Sequence, residues 1–495
     1  MRQVAFLVAL LLATAAHAQT RVVVGSTGYF TPNVYAQSDA EGYVNGCQTY
    51  GCMGYYDYHT GELVPMLATS WESTDPVTWV FHLRHDVTWQ DGTPVTADDV
   101  VHSHWRQMND KLTRQVSNGK DVKTIEAVDP HTVRITTNEP IAPFLFAALD
   151  RLTIQSKHVY DQYGADLADR EHPVGFGPYR IAQLVTGQRM VLEKNQASPF
   201  AIPTSPDQLI FQVMKEPEQR VTALLNGEIQ IALYVPPHMI ERIKASSTAH
   251  VALGTGIENN FLIMNPSIKP WDNKKLRQAV NHAIDKDAII DSILDGLADR
   301  LDGPIGPGQY GYDPNLTPKY SYDPARAKAL VKEAGFPDGV AVELYSTVNR
   351  YTDDKQTSEA IAAMLRAVGI KATLKTPEWA KYSADAEAGR IGFYYLGRGS
   401  VIDPSPFLSQ YFETGVTTRT MYSNPELDKL LVQERATMQP EQRKIVLGRA
   451  MSLLNDDAPA AFLWRMRLIA GIANSIDFTP AGTVGVRGND ITFKH

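Results

Sequence analysis

Between Leu67 and Ser103 the spacing of apolar positions changes period. Trp79, Phe81 and Leu83 alternate with Val80, His82 and Arg84, the twofold repeat of a half-buried strand. Asp91-Gly92 then supplies turn chemistry, because glycine takes positive φ at no steric cost. Thr96 stands three residues before Asp99, a capping box with Asp in place of the usual Glu or Gln. Val100, His104 and Met108 follow on one face of a helix. The stretch predicts strand, turn and capped helix.

The same two periods organise the rest of the chain. Arg21–Gly25 reads as a short strand, and Val122–Thr137 as two strands around the Asp129-Pro130 turn. After the corner Gly175–Tyr179 come Tyr179–Leu184 and Arg189–Lys194, joined at Thr186-Gly187. Strand and helix then alternate. Leu209–Val213 leads to a helix over Pro217–Asn226, stopped by Gly227, and to Ile229–Leu233. Val340–Ser346 leads to a helix over Gln356–Val368, stopped by Gly369, and to Ile370–Leu374; Ile391–Leu396 is a further strand. Such alternation predicts an α/β chain with parallel strands and right-handed crossovers. Ligand crevices in these sheets lie beyond the carboxyl ends of the strands. The loops Tyr234–Pro237, Thr347–Tyr351 and Gly397–Pro404 are therefore site candidates. Leu276–Ile284 is a helix restarted by Asp285 and ending near Gly296. Asp323-Pro324 opens another, with Ala327, Leu330, Val331 and Ala334 on its apolar face and Gly335 closing it. No internal repeat or low-complexity linker interrupts the chain.

Length and composition narrow the class. A chain of 495 residues predicts two or three domains. Its 43% hydrophobic and 21% charged residues are those of a globular protein, and a net charge of −8 offers no basic stripe to nucleic acid. Residues 1–18 read as a secretory signal: Arg2, an apolar run from Val4 to Leu12, and Ala16-His17-Ala18 as cleavage site. A mature start at Gln19 and export are expected. No cysteine follows the cleavage site to take a lipid, and no later run approaches the ~20 apolar residues of a membrane span. An oxidising compartment favours a bond between Cys47 and Cys52. Their spacing within a regular helix opposes it, unless Gly46, Gly51 or Gly54 breaks that helix; the sequence leaves the pairing open. Tyrosines at 43, 50, 55, 56 and 58 read either as cleft lining or as half-buried surface. His102 and His104, two apart on a helix, face different ways and are expected to be exposed or capping. HExxH, Walker and GxSxG motifs are absent, so no metal, cofactor or catalytic residue is expected.

The organising stretch, LATSWESTDPVTWVFHLRHDVTWQDGTPVTADDVVHS, resembles the signature of the peptide/nickel class of solute-binding proteins that serve ABC importers, family 5. LLNGEIQIA (Leu224–Ala232), the block Phe261–Ile290, YDPARAKALVKEAGFPDG (Tyr322–Gly339) and AIAAMLRAVGIKATL (Ala360–Leu374) resemble further family segments, in the family's order. So does the corner Gly175–Tyr179, with Phe176 where Thr is common. The likeness covers nearly all of the mature chain.

That resemblance implies a bilobal periplasmic-binding-protein fold of the class II (cluster C) type, with mixed or parallel sheets and an inserted small subdomain. Residues 19–38, 173–258 and 471–495 are expected to form the first lobe, 39–172 its inserted subdomain and 259–470 the second lobe. Crossovers are placed near Gly256–Asn259 and Ala470–Asn474. The implied role is capture of a ligand between the lobes by a monomer, and delivery to an inner-membrane permease with its ATPase, without catalysis. Family dipeptide binders hold the ligand carboxylate with an Arg in a loop that Arg350 matches here, and its planar fork suits a carboxylate. The competing role for Arg350 is surface pairing with Asp353 or Asp354. The family's ammonium-binding Asp is replaced by Ser400, which cannot offset a buried ammonium. Asp403 or Glu378 would have to substitute, and Arg398 adds positive charge instead. Tyr234, Tyr394, Tyr395 and Trp379 are candidate stacking walls or plain core. The expected ligand is a small carboxylate-bearing molecule, a dipeptide or modified peptide. The alternatives are a non-peptide ligand (an oligosaccharide, an opine-like conjugate or a nickel complex) and, more distantly, a secreted hydrolase.

Overall fold

The computed structural model describes residues 20–27, 30–36, 40–109, 121–256, 258–348, 350–399, 401–417, 419–482 and 485–494. The expected signal segment 1–18 and Ser400 lie outside the described residues.

Three sheets carry the fold. The first has seven strands in the order Ala249–Gly254, Leu468–Ala473, Ile231–Ala232, Arg21–Ser26, Gln208–Val213, Arg189–Lys194 and Tyr179–Val185. Its central strand, Arg21–Ser26, pairs in parallel with both neighbours. Val22 and Val24 enter one apolar core and Val23 the opposite one, so the strand is covered on both faces. The flanking pairs are antiparallel. The second sheet has six strands: Ala298–Arg300, Ala460–Met466, Asn259–Met264, Phe393–Arg398, Val340–Tyr345 and Ile370–Lys375. Only the last three are mutually parallel. The parallel arrangement read from strand–helix alternation therefore holds for the crossover units alone. Hairpins and returning strands make both sheets mixed, because a hairpin joins strands antiparallel. The third sheet is the antiparallel Ala68–Asp75, Thr78–Leu83, Thr132–Thr137 and Val122–Asp129, where Trp79, Phe81 and Leu83 are buried as their spacing predicts.

The helix starts carry the expected caps. Asp285 accepts the Ala288 N–H (3.0 Å) and Asp323 the Arg326 N–H (2.8 Å). Asp99 reaches back to the Thr96 N–H (2.8 Å), completing one half of the capping box. The other half differs: the Thr96 hydroxyl donates to Asp99 (3.2 Å), and the Asp99 N–H turns to the Thr96 carbonyl (3.1 Å). His104 departs from expectation. It is 4% exposed, and burial holds its imidazole down at about 4, so it is neutral core on the apolar side of helix Ala97–Asn109. Cys47 and Cys52 are bonded. The chain leaves helix Ala40–Thr49 and turns at Gly51 (φ +105°), a conformation that costs glycine little, and this brings the two Cα atoms to 5.0 Å.

Two crossovers join the lobes. One runs from Gly254 in the first sheet to Asn259 in the second. The other passes between Met466 and Leu468, a little earlier than Ala470–Asn474, because Leu468–Ala473 already pairs within the first sheet. The two run side by side, with the Met466 N–H donating to the Glu258 carbonyl (3.2 Å).

Candidate ligand site

The second lobe presents its loops at the carboxyl ends of Val340–Tyr345 and Phe393–Arg398, which are parallel neighbours. Asp354, the first residue of helix Asp354–Ala367, is 2% exposed and gathers the loop before it. One of its oxygens accepts the Thr347 hydroxyl (2.6 Å) and the backbone N–H groups of Arg350 (3.1 Å) and Tyr351 (3.2 Å). A buried carboxylate needs such donors, and here they set the loop's shape. Tyr351 then ties this loop to the next. Its hydroxyl donates to the Gly397 carbonyl (3.2 Å), and a Cβ on Gly397 would stand 2.5 Å from the Tyr351 ring.

Arg350 is exposed at the tip of this loop. Its guanidinium carbon lies 3.5 Å from the centre of the Trp379 ring and 5.6 Å from that of Tyr351. Pairing with Asp354 is limited to the backbone N–H; among the described residues the guanidinium forms no ion pair. Its fork is thus oriented on an aromatic face, and among the described residues no side chain takes its donors. Arg350 and Trp379 are brought together.

The other expected residues divide. Tyr395 is 1% exposed, behind Tyr351 (ring centres 5.7 Å apart), and its hydroxyl donates to Asn260 Oδ1 (2.9 Å). Tyr394 faces the opposite core and donates to the Arg419 carbonyl (2.9 Å). Both are core rather than stacking walls, because successive strand residues enter opposite faces. Arg398 ends its strand, exposed, in register with Asn259. Glu378 caps helix Trp379–Glu387 through the Ala380 N–H (2.8 Å). Asp403 caps the Ser405 N–H (2.9 Å), and both its oxygens are held by Arg443 (2.6 and 2.8 Å). Arg443 also binds Glu434 (2.9 Å), so the Asp403 carboxylate is spent on packing inside the second lobe. Tyr234 stands on the first lobe with φ +53° and 41% exposure. Its loop is braced by buried Arg220, which donates to the carbonyls of Met214 (2.6 Å), Lys215 (2.9 Å), Leu233 (2.8 Å) and Tyr234 (3.1 Å).

Sequence reasoning placed a crossover at Gly256–Asn259 but did not see its chemistry. Glu258 is half-buried there. Burial lifts its carboxyl above the ordinary range, while the neighbouring Asn260 side chain and the Arg350 charge pull it down. The available signal was Glu-Asn-Asn opening an otherwise apolar strand, Phe261–Met264. The site therefore offers two exposed cations, Arg350 and Arg398, above a carboxylate at the hinge.

Comparison with known proteins now bears on this geometry. Residues 62–418 match the family model of bacterial extracellular solute-binding proteins, family 5. A dipeptide-binding protein of Escherichia coli (strain K12) is 30% identical over 492 residues, 92% of this chain and 91% of that relative. The murein tripeptide binding protein MppA, in its unliganded open form, superimposes with a TM-score of 0.86 at 20% identity, covering 96% of this chain and 98% of that one. The agropinic acid complex of AgaA from A. tumefacien R10 gives 0.68 at 25% identity, covering 96% and 99%. Among the described residues no helix is long and apolar enough to cross a membrane, and no group of three or more His, Cys, Asp or Glu is placed to hold a metal ion. With a bilobal α/β fold, ligand loops at the strand ends and a family match over most of its length, the chain belongs to the bacterial extracellular solute-binding proteins of family 5.

Proposed function

We propose that this chain captures a small carboxylate-bearing ligand, a dipeptide or modified peptide, between its lobes and delivers it to an inner-membrane permease with its ATPase. It does so as an exported, non-lipidated periplasmic monomer and performs no covalent chemistry. Residues 19–38, 173–258 and 468–495 form its first lobe, 39–172 the inserted subdomain and 259–466 the second lobe; the pairing of Leu468–Ala473 within the first sheet supports a boundary slightly earlier than the expected 470/471. The observation that carries the ligand class is Arg350: exposed, stacked on Trp379 and without an ion pair among the described residues. A planar fork with open donors suits a carboxylate.

The test is mass spectrometry of small molecules released on unfolding the natively purified protein. Short peptides or other carboxylates support the reading; a neutral sugar overturns it. A second reading, a non-peptide conjugate, is favoured by two observations. Arg398 adds a second exposed cation, and the 25%-identical AgaA structure is an agropinic acid complex. A single non-peptide acid in the released material would select it.

A further inference from the structure

The open question at the site is what meets a positive group on the ligand. Asp403 is held by Arg443, and Glu378 is occupied as a helix cap. Glu258 differs from both. Its backbone is pinned at the junction of the two crossovers through Met466, and it sits where closing lobes converge. The Asn260 amide beside it is itself fixed, since its oxygen takes the Tyr395 hydroxyl (2.9 Å). Asn260 pairs in register with Gly397, Gly397 is covered by Tyr351, and Tyr351 lies under Arg350. A continuous, braced path thus links the guanidinium to Asn260, two residues from Glu258. Among the described residues no ion pair is made by Glu258. Closing the lobes would bury this carboxylate further, and a buried carboxylate without a cation is costly.

We infer that Glu258 receives the protonated amine of the ligand while Arg350 holds its carboxylate, so that the ligand is a short zwitterion with a free amine, such as an amino acid or a dipeptide. This rests on the function proposed above. The amine donates charge-assisted hydrogen bonds to the Glu258 carboxylate. The anchor lost from the last loop at Ser400 is replaced at the crossover.

The experiment is calorimetric titration of the mature chain with L-Ala-L-Phe and with N-acetyl-L-Ala-L-Phe. The parent is expected to prefer the free amine by about tenfold or more, the scale of a charge-assisted hydrogen bond. Glu258→Gln should abolish that preference by weakening only the free-amine peptide, whereas Arg350→Ala should weaken both. Glu258→Asp, which keeps the charge, should retain a preference for the free amine and guards against a merely structural effect. An unchanged preference in Glu258→Gln overturns the inference, and if Arg350→Ala still weakens both peptides the carboxylate reading survives it. Equal affinity of the parent for both peptides also overturns it. Binding of neither peptide removes the peptide-ligand reading and this inference together.

Discussion

The Arg350 guanidinium stacks on the Trp379 ring at 3.5 Å, joining a loop of one strand–helix unit to the first turn of the next helix. The stack orients the fork without consuming its donors. Arg350→Ala should therefore weaken ligand binding by at least about 1.5 kcal/mol, roughly tenfold. Arg350→Lys should recover only part of it, because one ammonium cannot reproduce the paired donors. Titration with the released ligand measures both, and unchanged affinity in Arg350→Ala would take the residue out of the site.

Gly397 lets Tyr351 lie against the strand end. An added Cβ would meet the Tyr351 ring at 2.5 Å and Asn260 Oδ1 at 3.1 Å. Gly397→Ala should displace Tyr351, cost about 1–3 kcal/mol as overpacking does, and lower ligand affinity. Denaturant unfolding and titration report the two effects separately.

Arg443 neutralises two carboxylates, half-buried Asp403 and buried Glu434, and Glu434 also accepts the Ser405 hydroxyl. Arg443→Ala should destabilise the second lobe by about 3–5 kcal/mol, since both carboxylates lose their cation. Asp403→Asn should lower the unfolding midpoint and leave ligand affinity unchanged. A variant that kept its midpoint but lost affinity would return Asp403 to the site.

Lys286 is buried and donates to the Leu301 carbonyl (2.8 Å). Burial, with the neighbouring Arg300 charge, lowers its pKa from 10.5 to about 7. The unfolded chain thus binds this proton more tightly than the folded one between those values, so the Lys286 contribution to stability rises with pH across that window. Between pH 7 and 9 the parent should gain about 2 kcal/mol relative to Lys286→Met. Paired denaturation curves at both pH values give the difference, and parallel curves would refute it.

Local patterns determined much of this protein. Alternation at Trp79, Phe81 and Leu83, caps at Asp285 and Asp323, and the strand–helix units around Gly227 and Gly369 are properties of neighbouring residues, legible because period and capping act within a few positions. The same logic placed Arg350 in a strand-end loop. Tertiary structure alone decided the rest. The mixed order of the sheets depends on pairings between distant strands, such as Arg21–Ser26 with Gln208–Val213. His104 is buried by the packing around its helix, and Asp403 is claimed by Arg443 from a later helix. Glu258 gains its setting only where two crossovers meet Asn260 and Arg350. The sequence specifies which side chains can accept charge. Which of them remain available to a ligand is set by partners far along the chain, because a buried charge is satisfied by whatever the fold brings beside it.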